Sequence, residues 1–214
     1  MVDHDAIAAS YDSLAIAYAE QLVDELDRKP FDRWILDRLA GLADGGPIAD
    51  AGCGPGHVAF HLAQAGAEVT GFDLSPAMVR EACKRFPGLA VEVADLHHLP
   101  VPSGGEGWAG IAAWYSLVHL PGDELPLAVS SLVAVLRPGG WLGVAVHAGG
   151  EVRQVTELWD VPVELDFVFH EPADVIDAFE DAGLEDVEWY LRAPIPGAEA
   201  DTERLYVLGR RPLA

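Results

Sequence analysis

The 214-residue chain is half hydrophobic and carries 13 basic against 35 acidic residues, a formal charge of −22. That length accommodates one domain with a sizeable core, and no apolar run approaches the roughly 20 residues of a membrane span. So large an excess of acid repels phosphate backbones and anionic leaflets, which excludes nucleic acid and membrane surfaces as expected partners. The N-terminus, Met1-Val2-Asp3-His4-Asp5, lacks the basic stretch and apolar core of a secretory signal. Cys53 and Cys83 make neither a disulfide framework nor a metal-ligand cluster. A cytoplasmic monomer or homodimer is expected.

In chain order, residues 1–46 read as a helical cap of two helices, near Ile7–Leu26 and Phe31–Ala43, the second opening after Pro30. From Pro47 to Leu136, apolar β-rich stretches alternate with helical patterns, the signature of βαβ units and a parallel sheet. Strands are expected near Ile48–Ala51, Glu68–Phe72, Leu89–Ala94, Gly110–Trp114 and Gly140–His147, with helices near His57–Ala65, Pro76–Phe86 and Asp123–Leu136. The segment Glu151–Phe169, which holds Trp159, Phe167 and Phe169, reads as an insertion and, over residues 151–170, as a substrate lid. A helix follows from Pro172 to Ala182, stopped by Gly183. Two runs, Val187–Arg192 and Arg204–Gly209, then suggest an antiparallel hairpin at the sheet edge.

The main chemical signal is Asp50-Ala51-Gly52-Cys53-Gly54-Pro55-Gly56-His57. An apolar strand runs into glycines at alternate positions, and a helix begins at once. Gly52, Gly54 and Gly56 let the backbone turn sharply and lie against a ligand, whose polar end faces open N–H groups of the helix. Such a loop alone serves nicotinamide, flavin and sulfonium cofactors alike. Three further features bear on the choice. Asp73 ends the second strand, where a carboxylate accepts from ribose hydroxyls, and Ser75-Pro76 then cap and open a helix carrying Met78. Asp95 ends the third strand, placed to accept from an adenine amino group. Leu136-Arg137-Pro138-Gly139-Gly140 turns from a helix into the fifth strand.

With these four motifs in order, the sequence resembles the class I S-adenosylmethionine (SAM)-dependent methyltransferases, in the branch of ubiquinone-biosynthesis type, over roughly residues 10–148. The resemblance implies an α/β fold: a doubly wound seven-stranded Rossmann-like sheet with an antiparallel C-terminal hairpin strand, in a single domain. It implies SAM as cofactor, S-adenosylhomocysteine (SAH) as product, and O- or N-methylation of a small-molecule acceptor. It assigns Asp50 to the methionine ammonium, Asp73 to the ribose, Asp95 to the adenine edge, and Leu74 and Leu96 to the adenine faces. The family often begins its fourth strand with an acidic residue where this chain has Trp108-Ala109. A nicotinamide oxidoreductase would share the loop and Asp73 but leave Asp95 and the terminal hairpin without a role, and an inactive SAM-binding partner protein would keep the loop without turnover.

Around this frame, Tyr11 and Tyr18 lie seven residues apart on one helix face and are expected to close over the cofactor. Arg33 is a candidate for the methionine carboxylate, and Ala113 to Tyr115 for the methionine and acceptor side. Methyl transfer from a sulfonium is an in-line displacement that depends on alignment and exclusion of water. An oxygen acceptor also calls for a base of near-neutral pKa; His147, closing the fifth strand, is the first candidate and His170 the second. His119 reads as structural.

Overall fold

The computed structural model describes residues 3–22 and 24–213. Met1, Val2, Val23 and Ala214 lie outside them; the first two begin the acidic N-terminus and the third falls inside the expected first helix. Among the described residues no helix is long and apolar enough to cross a membrane.

The helices are α1 (His4–Leu22), α2 (Pro30–Leu42), α3 (His57–Gln64), α4 (Pro76–Arg85), α5 (Leu125–Ala134) and α6 (Pro172–Asp181). The strands are β1 (Ile48–Ala51), β2 (Val69–Asp73), β3 (Ala90–Val93), β4 (Trp108–Trp114), β5 (Leu136–Ala148), β6 (Val152–Leu158), β7 (Val161–Val168), β8 (Glu185–Arg192) and β9 (Glu203–Arg210). The helix starts follow from local chemistry. Pro30, Pro76 and Pro172 each supply a first-turn residue that has no N–H to orphan. Ser75 caps α4 by accepting from Met78 N at 3.1 Å, and Asp12 of α1 reinforces that cap by accepting from Ala77 N at 2.9 Å.

Seven strands form one sheet in the order β3-β2-β1-β4-β5-β9-β8. β1 to β5 pair in parallel, and β9 inserts antiparallel between β5 and β8. The fifth strand starts at Leu136 rather than Gly140, because the Pro-Gly-Gly segment continues the ladder through a register shift opposite Trp108. Side chains alternate between two cores. Ile111, Ala113, Val144, Val146, Leu205 and Val207 pack with α5 and α6. Ala112, Trp114, Ala145, Tyr206 and Leu208 pack with α2 and α3 on the other face.

The segment 151–170, expected as an insertion with no strands assigned to it, is a regular hairpin. β6 and β7 pair antiparallel from Val152↔Val168 to Leu158↔Val161. Trp159 and Asp160 close it with φ of 49° and 64°, both left-handed as a two-residue turn requires. Val163 and Leu165 of β7 bury against Leu14 of α1 in a third core, with Tyr11, Tyr18, Val155 and Phe167 around it. Helix and hairpin, distant in sequence, thus make one roof over the carboxyl edge of the sheet. Leu14→Ala is expected to cost about 2–4 kcal/mol in this roof. Hydrogen exchange checks it: amides of α1, β6 and β7 should lose protection by that amount, while those of β1, β4 and β5 keep theirs.

Candidate active site

A cavity of about 400 Å³ lies between this roof and the strand ends. Its floor begins at the glycine loop. Gly52 has φ +77°, and a Cβ there would collide with Ser116; a Cβ on Gly54 would instead project toward Tyr18 across the cavity. Asp50, fully buried beneath the loop, has neither carboxylate oxygen in a hydrogen bond. Burial pushes its pKa up to about 7. Asp73 is also raised by burial, to about 6, and is held in place by Gly54 N and Ser75 N, each donating at 2.8 Å to a different oxygen. Those bonds leave lone pairs free on both oxygens. Asp95 accepts from His97 N at 2.9 Å and faces His4 Nδ1 at 3.0 Å. Leu74, Met78, Leu96 and His97 line the same end.

The roof contributes Tyr11 and Tyr18, whose rings meet edge-on at 5.8 Å, and Trp159, edge-on to Tyr18 at 5.5 Å. Burial raises both tyrosine pKa values well above the ordinary range, so the hydroxyls stay protonated. The Asp166 carbonyl can only accept, so His119 Nδ1 donates to it at 2.8 Å, leaving Nε2 to accept from the Tyr11 hydroxyl at 2.8 Å. His119 therefore fastens the roof to the segment after β4.

Toward β5 and β9 the wall turns cationic. Lys29, at the start of α2, pairs with Glu25 at 2.6 Å and stands 5.1 Å over the Tyr115 ring. Glu25 also meets His57 Nε2 at 2.8 Å; these two partners overcome the upward push of burial and hold Glu25 down at about 2. Tyr115 has φ +53°, a strained conformation for a bulky residue. Its hydroxyl is anchored on Asp32 at 3.3 Å and Tyr206 at 3.1 Å. His147 shares the face of Ala145 and lines the cavity, with Nδ1 2.7 Å from Thr202 Oγ1. Directly across the ladder stands Arg204, which is only 2% exposed. One step further Arg192 lies opposite Arg204, and Glu199 intervenes, bound by both Arg192 terminal nitrogens at 2.7 Å.

Several expectations are corrected by these placements. Gly56 caps α3 and faces Ala82, Leu89 and Phe86, not the cavity. Ala113 points into the α5–α6 core, because strand alternation sends Trp114 to the cavity side. Arg33 lies 3.7 Å from Asp27 at the surface; the cation lining the cavity is Lys29. His170 is buried, with Nε2 donating to the Leu117 carbonyl at 3.0 Å. The pKa of His147 is driven down to about 3 by burial and then by Arg204 and Lys29, which runs against a general base poised near neutrality. The sequence reading gave no site role to Glu25, Lys29, His57, Glu199 or Arg204.

The raised carboxyl of Asp50 has a stability consequence. Between about pH 4 and 7 the folded state keeps a proton that the unfolded chain has released, so stability is full below that window and falls as pH rises through it. Asp50→Asn removes this titration. In urea denaturation, the loss of stability from pH 5 to pH 8 should shrink by on the order of 2–3 kcal/mol in the variant. An equal loss in both proteins would mean that Asp50 ionises freely.

A family profile described as a methyltransferase domain matches residues 48–140. The chain is 32% identical over 161 residues to a malonyl-[acyl-carrier protein] O-methyltransferase of Pseudescherichia vulneris, covering 74% of this chain and 60% of that protein. The chain spans about 60% of the length of these curated relatives. Among solved structures, DhpI in complex with SAH superposes with a TM-score of 0.73 at 21% identity, covering 98% of this chain and 97% of that one. Magnesium protoporphyrin IX methyltransferase from Synechocystis PCC 6803, with bound SAM, gives a TM-score of 0.69 at 19% identity, covering 99% and 98%. These two are likenesses of fold. The profile lies on the glycine loop and both strand-end acids, and the seven-stranded sheet around it is complete, so residues 48–140 are similar to a methyltransferase domain.

Proposed function

We propose that this chain binds SAM along the carboxyl edge of the sheet and transfers its methyl group to a small-molecule acceptor. The observation that carries the reading is Asp50. A fully buried carboxylate with no hydrogen-bond partner, beside a glycine loop that leaves room where a Cβ would project, is a site prepared for a cation. The α-ammonium of SAM is such a cation.

The neighbouring residues fit the rest of that molecule. Asp73, oriented by two backbone donors, has lone pairs left for the ribose hydroxyls. Asp95 accepts at the adenine edge, while Leu74, Leu96 and Met78 supply apolar contact. Tyr11, Tyr18 and Trp159 exclude water from above, which strengthens every charge interaction below. When bound, SAM supplies an electrophilic methyl carried on a sulfonium. The protein's own work is to hold the acceptor in line with that methyl and keep the chamber dry. The roof of α1 and residues 151–170 acts as the lid. Free, unpaired Cys53 and Cys83 accord with a reducing, cytoplasmic setting.

Isothermal titration with SAM, SAH and NADH tests this. SAM and SAH should bind and NADH should not. Asp73→Ala removes charge-assisted bonds of about 1.5–3 kcal/mol each, so SAM affinity should fall roughly 10- to 100-fold. Unchanged affinity in that variant would sink the assignment.

A further inference from the structure

We propose that the β5–β9 end of the cavity is an anion subsite, and that the group methylated there is a carboxylate. This rests on the methyl-transfer reading above and extends it to the acceptor.

Arg204 is the central group of this wall. It is buried on the cavity wall, and Nε has no hydrogen-bond partner, its nearest acid being Glu199 at 3.9 Å. That glutamate is already saturated by Arg192 and by Ile195 N at 2.6 Å. Arg204 Nη1 donates to the Thr202 hydroxyl and carbonyl, and Nη2 to the Ala200 carbonyl at 3.1 Å. The Thr202 oxygen, accepting from arginine, has one proton to give, and His147 Nδ1 is the acceptor within reach at 2.7 Å. Nδ1 therefore accepts, and the imidazole proton resides on Nε2. His147 thus presents a donor, not a base. Lys29 stands 5.1 Å over the ring of Tyr115, which His147 also contacts at 5.2 Å between ring centres, and it has two ammonium protons left after its bond to Glu25.

Burial first, and then Arg204, Lys29 and Arg153 against Glu199 alone, keep the His147 ring neutral at ordinary pH. Three donors thus line this end of the cavity with no proton acceptor of useful strength beside them. A phenol or ammonium acceptor must lose a proton to such a base, whereas a carboxylate needs none. Its oxygen lone pair forms the O–CH₃ bond, the methyl–sulfur bond breaks, and that electron pair returns to sulfur. The sulfonium becomes a thioether, the carboxylate becomes an ester, opposite charges cancel and no proton is released. Leu158, Trp159 and Phe167 above the same space favour an acid with an apolar body.

The experiment uses octanoate and 3-phenylpropionate, each beside its amide and its primary alcohol. With SAH present, titration calorimetry should show at least one of the two acids binding ten-fold or more tighter than its amide. His147→Leu, which removes the imidazole donor, should abolish that preference while leaving SAM affinity within two-fold, and His147→Gln, which keeps an amide donor, should retain part of it. With methyl-labelled SAM, label should enter the acid in a form released as volatile methanol by mild alkali. Equal binding of acid and amide, binding of neither acid, or an alkali-stable label on the alcohols would overturn the carboxylate assignment. Failure of SAM itself to bind would overturn the methyltransferase reading instead, so the two failures are told apart.

Discussion

The cationic half of the cavity hangs on a single buried carboxylate. Asp32, in the first turn of α2, is inaccessible to solvent and accepts four bonds: from Trp114 Nε1 at 3.2 Å, the Tyr115 hydroxyl at 3.3 Å, the Tyr206 hydroxyl at 2.8 Å and Arg192 Nη2 at 2.9 Å. A charge removed from water is tolerable only when its lone pairs are filled. Here the filling groups come from β4, β9 and β8. The arrangement ties the N-terminal cap to three strands at once, and it holds Tyr115 in a backbone conformation that local sterics oppose. The Arg192–Glu199 pair then fixes the loop before β9, which carries Thr202 and thereby sets the imidazole tautomer of His147.

Strand order converts this scaffold into a gradient of charge. Across the sheet the carboxyl ends of β3, β2 and β1 carry or adjoin Asp95, Asp73 and Asp50. Those of β4 and β5, and the amino end of the antiparallel β9, carry or adjoin Tyr115, His147 and Arg204. Acid at one end and base at the other suit a ligand pair in which the cofactor brings a cation and the acceptor an anion. The overall charge of −22 makes the second half unexpected from composition, since the cations that matter are few and buried.

Local chemistry was legible in the residues. The glycine loop, the strand-end acids and every element of the main sheet follow from periodicity, caps and turn residues, with ends displaced by a few positions at most. The hairpin at Val152–Val168 was missed although Val161-Pro-Val-Glu-Leu-Asp-Phe alternates strictly, because Pro162 and the interleaved acids suggest a loop. Arg204 and Lys29 were not readable for a different reason. Their meaning depends on the β5–β9 register and on which acids are already paired, both set by contacts between residues far apart in sequence. Gly56 and Ala113 erred by direction only: a motif gives position along the chain, and the face is decided by φ and by pleat.

The same pleat makes the hairpin a ruler. Val163, Leu165 and Phe167 point inward while Pro162, Glu164 and Asp166 alternate with them, and the two-residue turn at Trp159-Asp160 fixes the pairing. Lengthening each strand by two residues would preserve this in–out sequence and extend the roof by roughly 7 Å. Adding a single residue to one strand would exchange its faces beyond that point, exposing apolar groups and burying acids. The depth of the chamber above the reacting groups is thus adjustable in even steps, leaving the sheet and its charge gradient untouched. Enzymes built on this plan could take longer or shorter acceptors by a change in one surface hairpin.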